Sequence, residues 1–180
     1  KILEDNFITH PEIFFIYYDI NEGIGAAIRD GINISSKEFI FCVPADSPLT
    51  EDVFVAFFKS EKKADIIVSY RKKRLGYSLR MKINSWVYHL LVSHMFQMDL
   101  RDYNWIHMYN RKIFDEGKIQ IEYNGIFMLA EILIKAKRKK FTIQEVEVEQ
   151  YERLTGIATA SKVSAIIKTL IEIISFRLKN

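Results

Sequence analysis

The chain has 180 residues, of which 49% are hydrophobic and 27% are charged, and its formal net charge is +3. This length and composition indicate a single globular domain with a substantial core. The small positive charge argues against nucleic acid as a partner, because nucleic-acid-binding domains carry a much stronger basic surface. The lone cysteine, Cys42, cannot form an internal disulfide and suits a reducing compartment. The sequence has no run of the roughly 20 apolar residues that would cross a bilayer.

The first part of the chain alternates between predicted strands and helices. Apolar runs at 13–18, 39–43 and 65–69 predict strands that are buried in a sheet, the first of them on both faces. Helices are predicted between these strands, over 23–34 and 51–59. This order predicts a parallel sheet with right-handed crossovers.

The second part is predicted to be mainly helical. Helices are predicted over 77–98, 125–138 and 161–178, and an alternating apolar pattern predicts a strand over 141–148. The aromatic-rich stretch at 102–109 is predicted to be irregular.

The last predicted helix carries an apolar stripe, which we call the C-terminal stripe. Its members are Val163, Ile166, Ile167, Leu170, Ile171 and Ile174. The stripe predicts packing against the sheet. Alternatively, the helix lies at a membrane surface, because Lys168, Arg177 and Lys179 can flank its apolar face. Two basic clusters, 71–74 and 135–140, are explained by a solvated loop and a helix C-terminus, or else by an anionic phosphate or membrane surface.

One glycine-containing run, NEGIGAAIRDG at 21–31, starts the first predicted helix. The strand that follows leads into Pro44-Ala45-Asp46. A glycine-bearing helix start, a buried strand and a carboxylate at the strand's end form a metal–phosphate site in α/β folds, because ligands bind outside the carboxyl ends of the strands. Gly31 lies inside the helix, where glycine is unfavourable, and therefore predicts close packing against the sheet.

The order of these motifs resembles that of family 2 inverting glycosyltransferases, in particular the dolichol-phosphate mannosyltransferase-like branch. The matching segments are N-x-G-x-G-x-A-x-x-x-G at 21–31, the D-x-D position at 44–46, the G-S-R position at 69–71, the D…G-F-R…R-R segment at 102–111, E-I-L at 131–133, E-V-E-V at 145–148 and the R-x-x-G…S-K loop at 153–162. The resemblance implies an α/β, three-layer, GT-A-like nucleotide-diphospho-sugar transferase fold with a mostly parallel central sheet. It covers residues 1–180 as a single domain.

The chain departs from the family pattern in three places. The family's N-terminal strand–helix–strand, which holds the nucleotide, has no match here, so the resemblance implies an N-terminally incomplete domain. Pro44 stands in place of the first aspartate of D-x-D, which removes one carboxylate from the site. Trp105 replaces a small residue of the G-F-R segment and would narrow the acceptor side.

The implied activity is transfer of a sugar from a nucleotide-sugar donor to a polyprenyl (dolichyl or undecaprenyl) phosphate. It would proceed with inversion at the cytoplasmic face of a membrane, where the protein would be peripheral. Mg²⁺ or Mn²⁺ is the implied cofactor, because a divalent cation stabilises the diphosphate leaving group. Asp46 is the predicted metal ligand, since such hard cations prefer oxygen ligands. The alternative is that Asp46 is a cap or turn carboxylate.

The predicted phosphate contacts are Arg71, Arg153 and Lys162, because arginine and lysine suit phosphate oxygens. Each could instead be a surface charge. Asn21 and Gly23 are predicted to shape the turn at the donor site rather than to touch the substrate.

Asp102 and Glu131 complete the predicted catalytic set with Asp46. Glu131 interrupts an apolar helical stretch, so a buried carboxylate there would need a cationic partner. Arg111 or His107 could supply that partner, and this structural interpretation stands equal to a role at the acceptor site.

Two other functions remain open on the sequence. The acceptor could be a saccharide, as in cell-surface polysaccharide synthesis, and its hydroxyl group would then need Asp102 or Glu131 as a base. The chain could also be a non-catalytic relative that acts as a binding module, with Pro44 as the sign of a lost site.

Overall fold

The computed structural model describes residues 10–44, 50–60, 64–72, 76–149 and 163–179. Within these residues the chain forms five α-helices and four strands. In chain order they are α1 (Ile24–Ile34), β1 (Phe39–Cys42), α2 (Glu51–Phe58), β2 (Ile66–Arg71), α3 (Leu79–Phe96), β3 (His107–Asn110), α4 (Phe127–Arg138), β4 (Ile143–Val148) and α5 (Val163–Lys179), with short 3-10 helices at Arg111–Ile113 and Asp115–Gly117. All five predicted helices are confirmed, as are three of the four predicted strands.

The strands form one mixed sheet in the order β1–β3–β2–β4. β3 runs antiparallel to both of its neighbours, and β2 pairs with β4 in parallel. Three of the described strands therefore point in the same direction and β3 points against them. The α/β class and the prevailing strand direction are as predicted, but the prediction of an irregular stretch at 102–109 is wrong for its last three residues. β3 contains the polar residues His107 and Asn110. It therefore lacks the continuous apolar run that predicts a central strand.

The apolar run at 13–18 does not form the predicted buried strand. These residues have no regular secondary structure, and Phe14 and Tyr17 are 71% and 63% exposed. A strand requires a neighbour for its backbone N–H and C=O groups. None of the described strands pairs with this run, so its apolar character alone does not place it in the sheet.

Helices cover both faces of the sheet and produce the three layers. The larger core packs α1, α3, α4 and α5 against the face that carries Ile66 and Val68 of β2. The smaller core packs α2, through Val53 and Phe57, against the opposite face, where Ile67 lies. The alternation along β2 follows from the two-residue period of a strand.

The C-terminal stripe is largely exposed, so the prediction that it packs on the sheet is wrong. Val163, Ile167, Ile171 and Ile174 are each more than half exposed. α5 is buried instead through Thr169, Glu172, Ile173 and Phe176. The Phe176 ring packs edge-on against Phe96 of α3 and Phe127 of α4. Burial of this large ring orients the helix and leaves the smaller aliphatic side chains outside.

Close glycine packing occurs at Gly25, whereas the prediction for Gly31 is wrong. A Cβ atom on Gly25 would overlap the backbone of Tyr123 and Asn124, and the Gly25 N–H donates to the Asn124 carbonyl at 3.1 Å. A Cβ atom on Gly31 would meet no other atom within 4 Å. The first turn of α1 is therefore the part of the helix that packs against the segment before α4.

The two glycines provide a matched test of this packing. Gly25→Ala should lower the free energy of unfolding by about 2 kcal/mol, because backbone atoms cannot move aside as a flexible side chain could. Gly31→Ala should raise it by about 0.5–1 kcal/mol, because alanine is the better helix former and has room. Urea denaturation of both variants measures the difference, and equal effects at the two positions would contradict the close approach.

Candidate functional site

The predicted donor-site turn is formed by Asn21 and Gly23. The Gly23 N–H donates to Oδ1 of Asn21 at 2.9 Å, and Gly23 has a φ of 98°, in the region that favours glycine. Arg29 ties the same helix to the segment before α4 through the Ile121 carbonyl, at 3.1 Å. Asn21 and Gly23 thus shape a turn before α1, and its place in a donor site remains a prediction.

A cavity of about 480 Å³ lies beside this turn. Tyr17, Tyr18, Glu22 and Gly23 are among the residues that line it. It lies at the N-terminal end of α1, where the helix dipole favours a negatively charged ligand, and Glu22 adds one negative charge to its lining.

Arg71, the last residue of β2, is held by three buried or partly buried side chains. Its Nε donates to Oδ2 of Asp102 at 2.7 Å, and its Nη1 donates to the Tyr77 hydroxyl at 2.6 Å. Its guanidinium carbon lies 4.7 Å from the centroid of the Trp105 ring. The side chains of Arg71 and Asp102 are 4% and 5% exposed. Each charge therefore neutralises the other at a position where either alone would be costly.

The structure thus brings together two predicted site residues, Arg71 and Asp102, as an ion pair. The pair lies at the carboxyl end of β2, the edge where ligands bind in α/β sheets. Asp102 also accepts a hydrogen bond from the Asn104 N–H at 3.1 Å. This bond holds the backbone that follows Asp102 next to the ion pair.

Glu131 belongs to a different cluster, on α4. It is fully buried and accepts hydrogen bonds from the N–H groups of Glu122, at 2.9 Å, and Tyr123, at 3.2 Å. Its ion-pair partner is Lys135, one helical turn away, with Nζ 2.7 Å from Oε1. Burial disfavours the charged lysine, but its hydrogen bonds to Glu122 and Glu131 raise the pKa of Lys135 above its usual value.

The prediction that Arg111 or His107 partners Glu131 is therefore wrong. Arg111 bonds instead to Ser35 and to the Ile32 carbonyl, both at the end of α1. His107 is buried in β3, and its Nδ1 lies 2.7 Å from the Tyr109 hydroxyl. Burial lowers the pKa of His107 from 6.5 to about 4. The spacing of Glu131 and Lys135 by four residues was the signal in the sequence for the true partner.

Glu172 of α5 is a buried acid that sequence reasoning missed. Its Oε1 accepts the Gly125 N–H at 3.1 Å, just before α4 begins, and burial raises its pKa. A Cβ atom on Gly125 would overlap this carboxylate, so the glycine admits the side chain. Glu172 is the one acid in the largely apolar sequence of α5, and this isolation could have indicated a buried carboxylate.

Three predicted site residues, Asp46, Arg153 and Lys162, lie outside the described residues. Their roles as metal ligand and phosphate contacts remain predictions. In the described ranges, no three His, Cys, Asp or Glu side chains are placed to hold a metal ion. No helix there has the length and apolar character that a bilayer crossing requires.

Comparison with known proteins relates the chain to a solved glycosyltransferase structure. No family model matches the sequence, and no curated protein matches it. The chain is similar to glucosyl-3-phosphoglycerate synthase from Mycobacterium tuberculosis in complex with uridine diphosphate, with a TM-score of 0.64 and 12% sequence identity. The match covers 93% of this chain and 58% of that chain. The fold is therefore the GT-A-type glycosyltransferase fold, as the motif order predicts.

Because Arg71 belongs to a buried ion pair, its substitution should lower the free energy of unfolding far more than substitution of its exposed neighbour Lys72. Arg71→Gln leaves the Asp102 carboxylate buried without its cation and should lower the free energy of unfolding by about 3–5 kcal/mol. Lys72→Gln removes only an exposed pair with Glu147 and should change it by less than about 1 kcal/mol. Chemical denaturation of the two variants tests this. Similar losses would show that Asp102 does not depend on its buried partner.

Burial of neutral His107 predicts a specific acid sensitivity. The folded-state pKa of His107 is about 4, below the usual value of 6.5, so the unfolded state binds the proton first as the pH falls. The free energy of unfolding should therefore decline from about pH 6.5 to pH 4, by up to about 3 kcal/mol from this group. His107→Gln should lose this part of the decline, whereas His94→Gln, at an exposed position, should retain it. Identical pH profiles for the wild type and His107→Gln would contradict the assignment.

Proposed function

We propose that the protein is an inverting glycosyltransferase that moves a sugar from a nucleotide-sugar to a polyprenyl phosphate. The observation that carries the proposal is the GT-A-type fold over 93% of the chain, shared with a structure solved with uridine diphosphate bound. The motif order along the chain supports the dolichol-phosphate mannosyltransferase-like branch.

The donor is proposed to bind at the carboxyl edge of the sheet, near the turn at Asn21 and Gly23. The cavity beside that turn and the N-terminus of α1 suit a diphosphate group. Asp46 is the proposed ligand of Mg²⁺ or Mn²⁺, which would neutralise the leaving diphosphate. Arg153 and Lys162 are proposed phosphate contacts. Arg71 can join them only through the N–H groups that Asp102 and Tyr77 leave unused.

In the proposed reaction, an oxygen of the acceptor phosphate attacks the anomeric carbon of the donor sugar. The new carbon–oxygen bond forms on the face opposite the nucleoside diphosphate. The bond from the same carbon to the diphosphate breaks, and the leaving group takes the electron pair, which inverts the configuration. The attacking oxygen is already ionised, so no general base is required, and Asp102 and Glu131 can serve the fold as ion-pair partners.

Two exposed apolar surfaces favour a lipid-linked acceptor over a saccharide. One is the C-terminal stripe of α5. The other, which we call the α3 stripe, has helical spacing and consists of Leu79, Ile83, Trp86, Val87 and Leu90. α3 contains no Asp or Glu, and the one acid of α5, Glu172, is buried. Helices with exposed apolar stripes and cationic flanks bind anionic membrane surfaces.

The donor site can be tested by ligand-dependent stability of the full-length protein. UDP-, GDP- and CDP-sugars are compared with and without Mn²⁺, because a ligand that binds only the folded state raises its melting temperature. We expect a metal-dependent increase with one nucleotide, equivalent to about 2.7 kcal/mol at a hundredfold excess over Kd.

The control variants assign that increase to Asp46. Asp46→Asn should abolish it, and Asp52→Asn, an exposed acid in the first turn of α2, should leave it unchanged. No increase with any nucleotide, in a protein that melts cooperatively, would overturn the transferase proposal in favour of a non-catalytic binding module.

A further inference from the structure

A second cavity, of about 340 Å³, lies where α3, α4 and α5 end. We call it the basic cleft. Its apolar wall is formed by Met95 and Phe96 of α3 and Ile134 of α4. Its charged wall is formed by Lys137 and Arg138 of α4 and by Arg177 of α5. Among the described residues that line it, none is acidic.

Two of the three cations of the cleft contact groups other than carboxylates. Lys137 donates to the Gln97 carbonyl, and the Arg138 guanidinium carbon lies 5.3 Å from the centroid of the Phe176 ring. Among the described residues, no carboxylate pairs with the positive charge of Arg138 or Arg177.

Helix dipoles account for only part of this charge. Each helix C-terminus carries about half a negative charge, so three termini supply about −1.5 against the three cations. All three side chains are exposed, so the remaining positive charge is balanced by salt ions or by an anionic ligand.

The apolar wall indicates what kind of anion fits. Next to the cleft along α5, Ile174 and Leu178 are 53% and 83% exposed. A small soluble phosphate would leave these apolar surfaces in water, whereas a lipid places its phosphate on the cations and its chains beside the apolar side chains.

The cleft is distinct from the proposed donor site. The Phe141 N–H bonds to the Ala136 carbonyl, so α4 turns directly into the start of β4. The cleft therefore lies at the edge of the sheet opposite to Arg71, which ends β2. α3 extends between these two edges over 18 residues, a length of about 27 Å.

From these observations we infer that the basic cleft binds the phosphate headgroup of an anionic bilayer lipid that is not the acceptor. Binding there places the C-terminal ends of α3, α4 and α5 at the membrane surface. This site goes beyond the proposed transferase function and does not require that function.

Vesicle binding of the full-length protein tests the inference. Partitioning is measured on phosphatidylcholine vesicles with and without phosphatidylglycerol. The triple variant Lys137→Gln, Arg138→Gln, Arg177→Gln should lose about 100-fold in partitioning onto the anionic vesicles, by the usual contribution of a cation at such a surface. The control triple variant, Lys37→Gln, Lys59→Gln, Lys118→Gln, removes the same charge from exposed positions outside the cleft and should retain wild-type binding.

A double variant and a melting measurement distinguish loss of the cleft from loss of the fold or of the donor site. The double variant Arg138→Gln, Arg177→Gln spares the Lys137 hydrogen bond and should still lose more than tenfold. Nucleotide-dependent melting should be unchanged in all three variants, which separates this site from the donor site. Equal losses in the cleft and control triple variants, or no loss in the cleft variants, would overturn the inference. So would displacement of the wild type from vesicles by millimolar glycerol 3-phosphate, because the ligand would then be a soluble phosphate.

Discussion

The fold depends on the irregular backbone of residues 120–125, to which α1, α4 and α5 are all attached. α1 holds it through Gly25 and Arg29, α4 through Glu131, and α5 through Glu172. Lys135 adds a bond to the Gln120 carbonyl at 2.8 Å. A buried backbone group without a partner costs about 1–3 kcal/mol, so these side chains take the role that a neighbouring strand would have in a regular sheet.

This segment links the proposed donor site to the C-terminal helix. Gly25 lies in the first turn of α1, immediately after the turn at Asn21 and Gly23, and it packs against Asn124. Glu172 binds the next residue, Gly125. α1 and α5 therefore bind successive residues of this segment, Asn124 and Gly125. Glu131 of α4 and Glu172 of α5 both accept hydrogen bonds from the backbone of this segment. These two acids are accordingly better explained as structural groups than as catalysts.

The sequence predicts features that depend on local pattern and misses those that depend on distant partners. The bounds of α1 and the turn at Asn21 follow from helix spacing and glycine chemistry, and both are as predicted. Strand β3 could not be predicted in this way, because its burial comes from β1 and β2 on either side rather than from its own residues. The exposed run at 13–18 shows the converse, since apolar composition provides no pairing partner.

The predicted site shows the same division. The ion pair of Arg71 and Asp102 joins residues 31 positions apart and could not be predicted from spacing. The pair of Glu131 and Lys135 is local and could have been. The C-terminal stripe was recognised correctly as a stripe, but its direction was set by Phe176, whose ring fits between α3 and α4.

The basic cleft and the proposed acceptor site lie near opposite ends of α3. An acceptor phosphate that belongs to a lipid must reach the carboxyl edge of the sheet while its chains stay in the bilayer. α3 begins near that edge, just after Tyr77, which contacts Arg71, and it ends at the cleft. If α3 lies in the plane of the membrane surface, both ends are at headgroup depth. The proposed acceptor site and the lipid-binding cleft are then about 27 Å apart along α3, so a lipid bound at one end does not occupy the position of a substrate at the other.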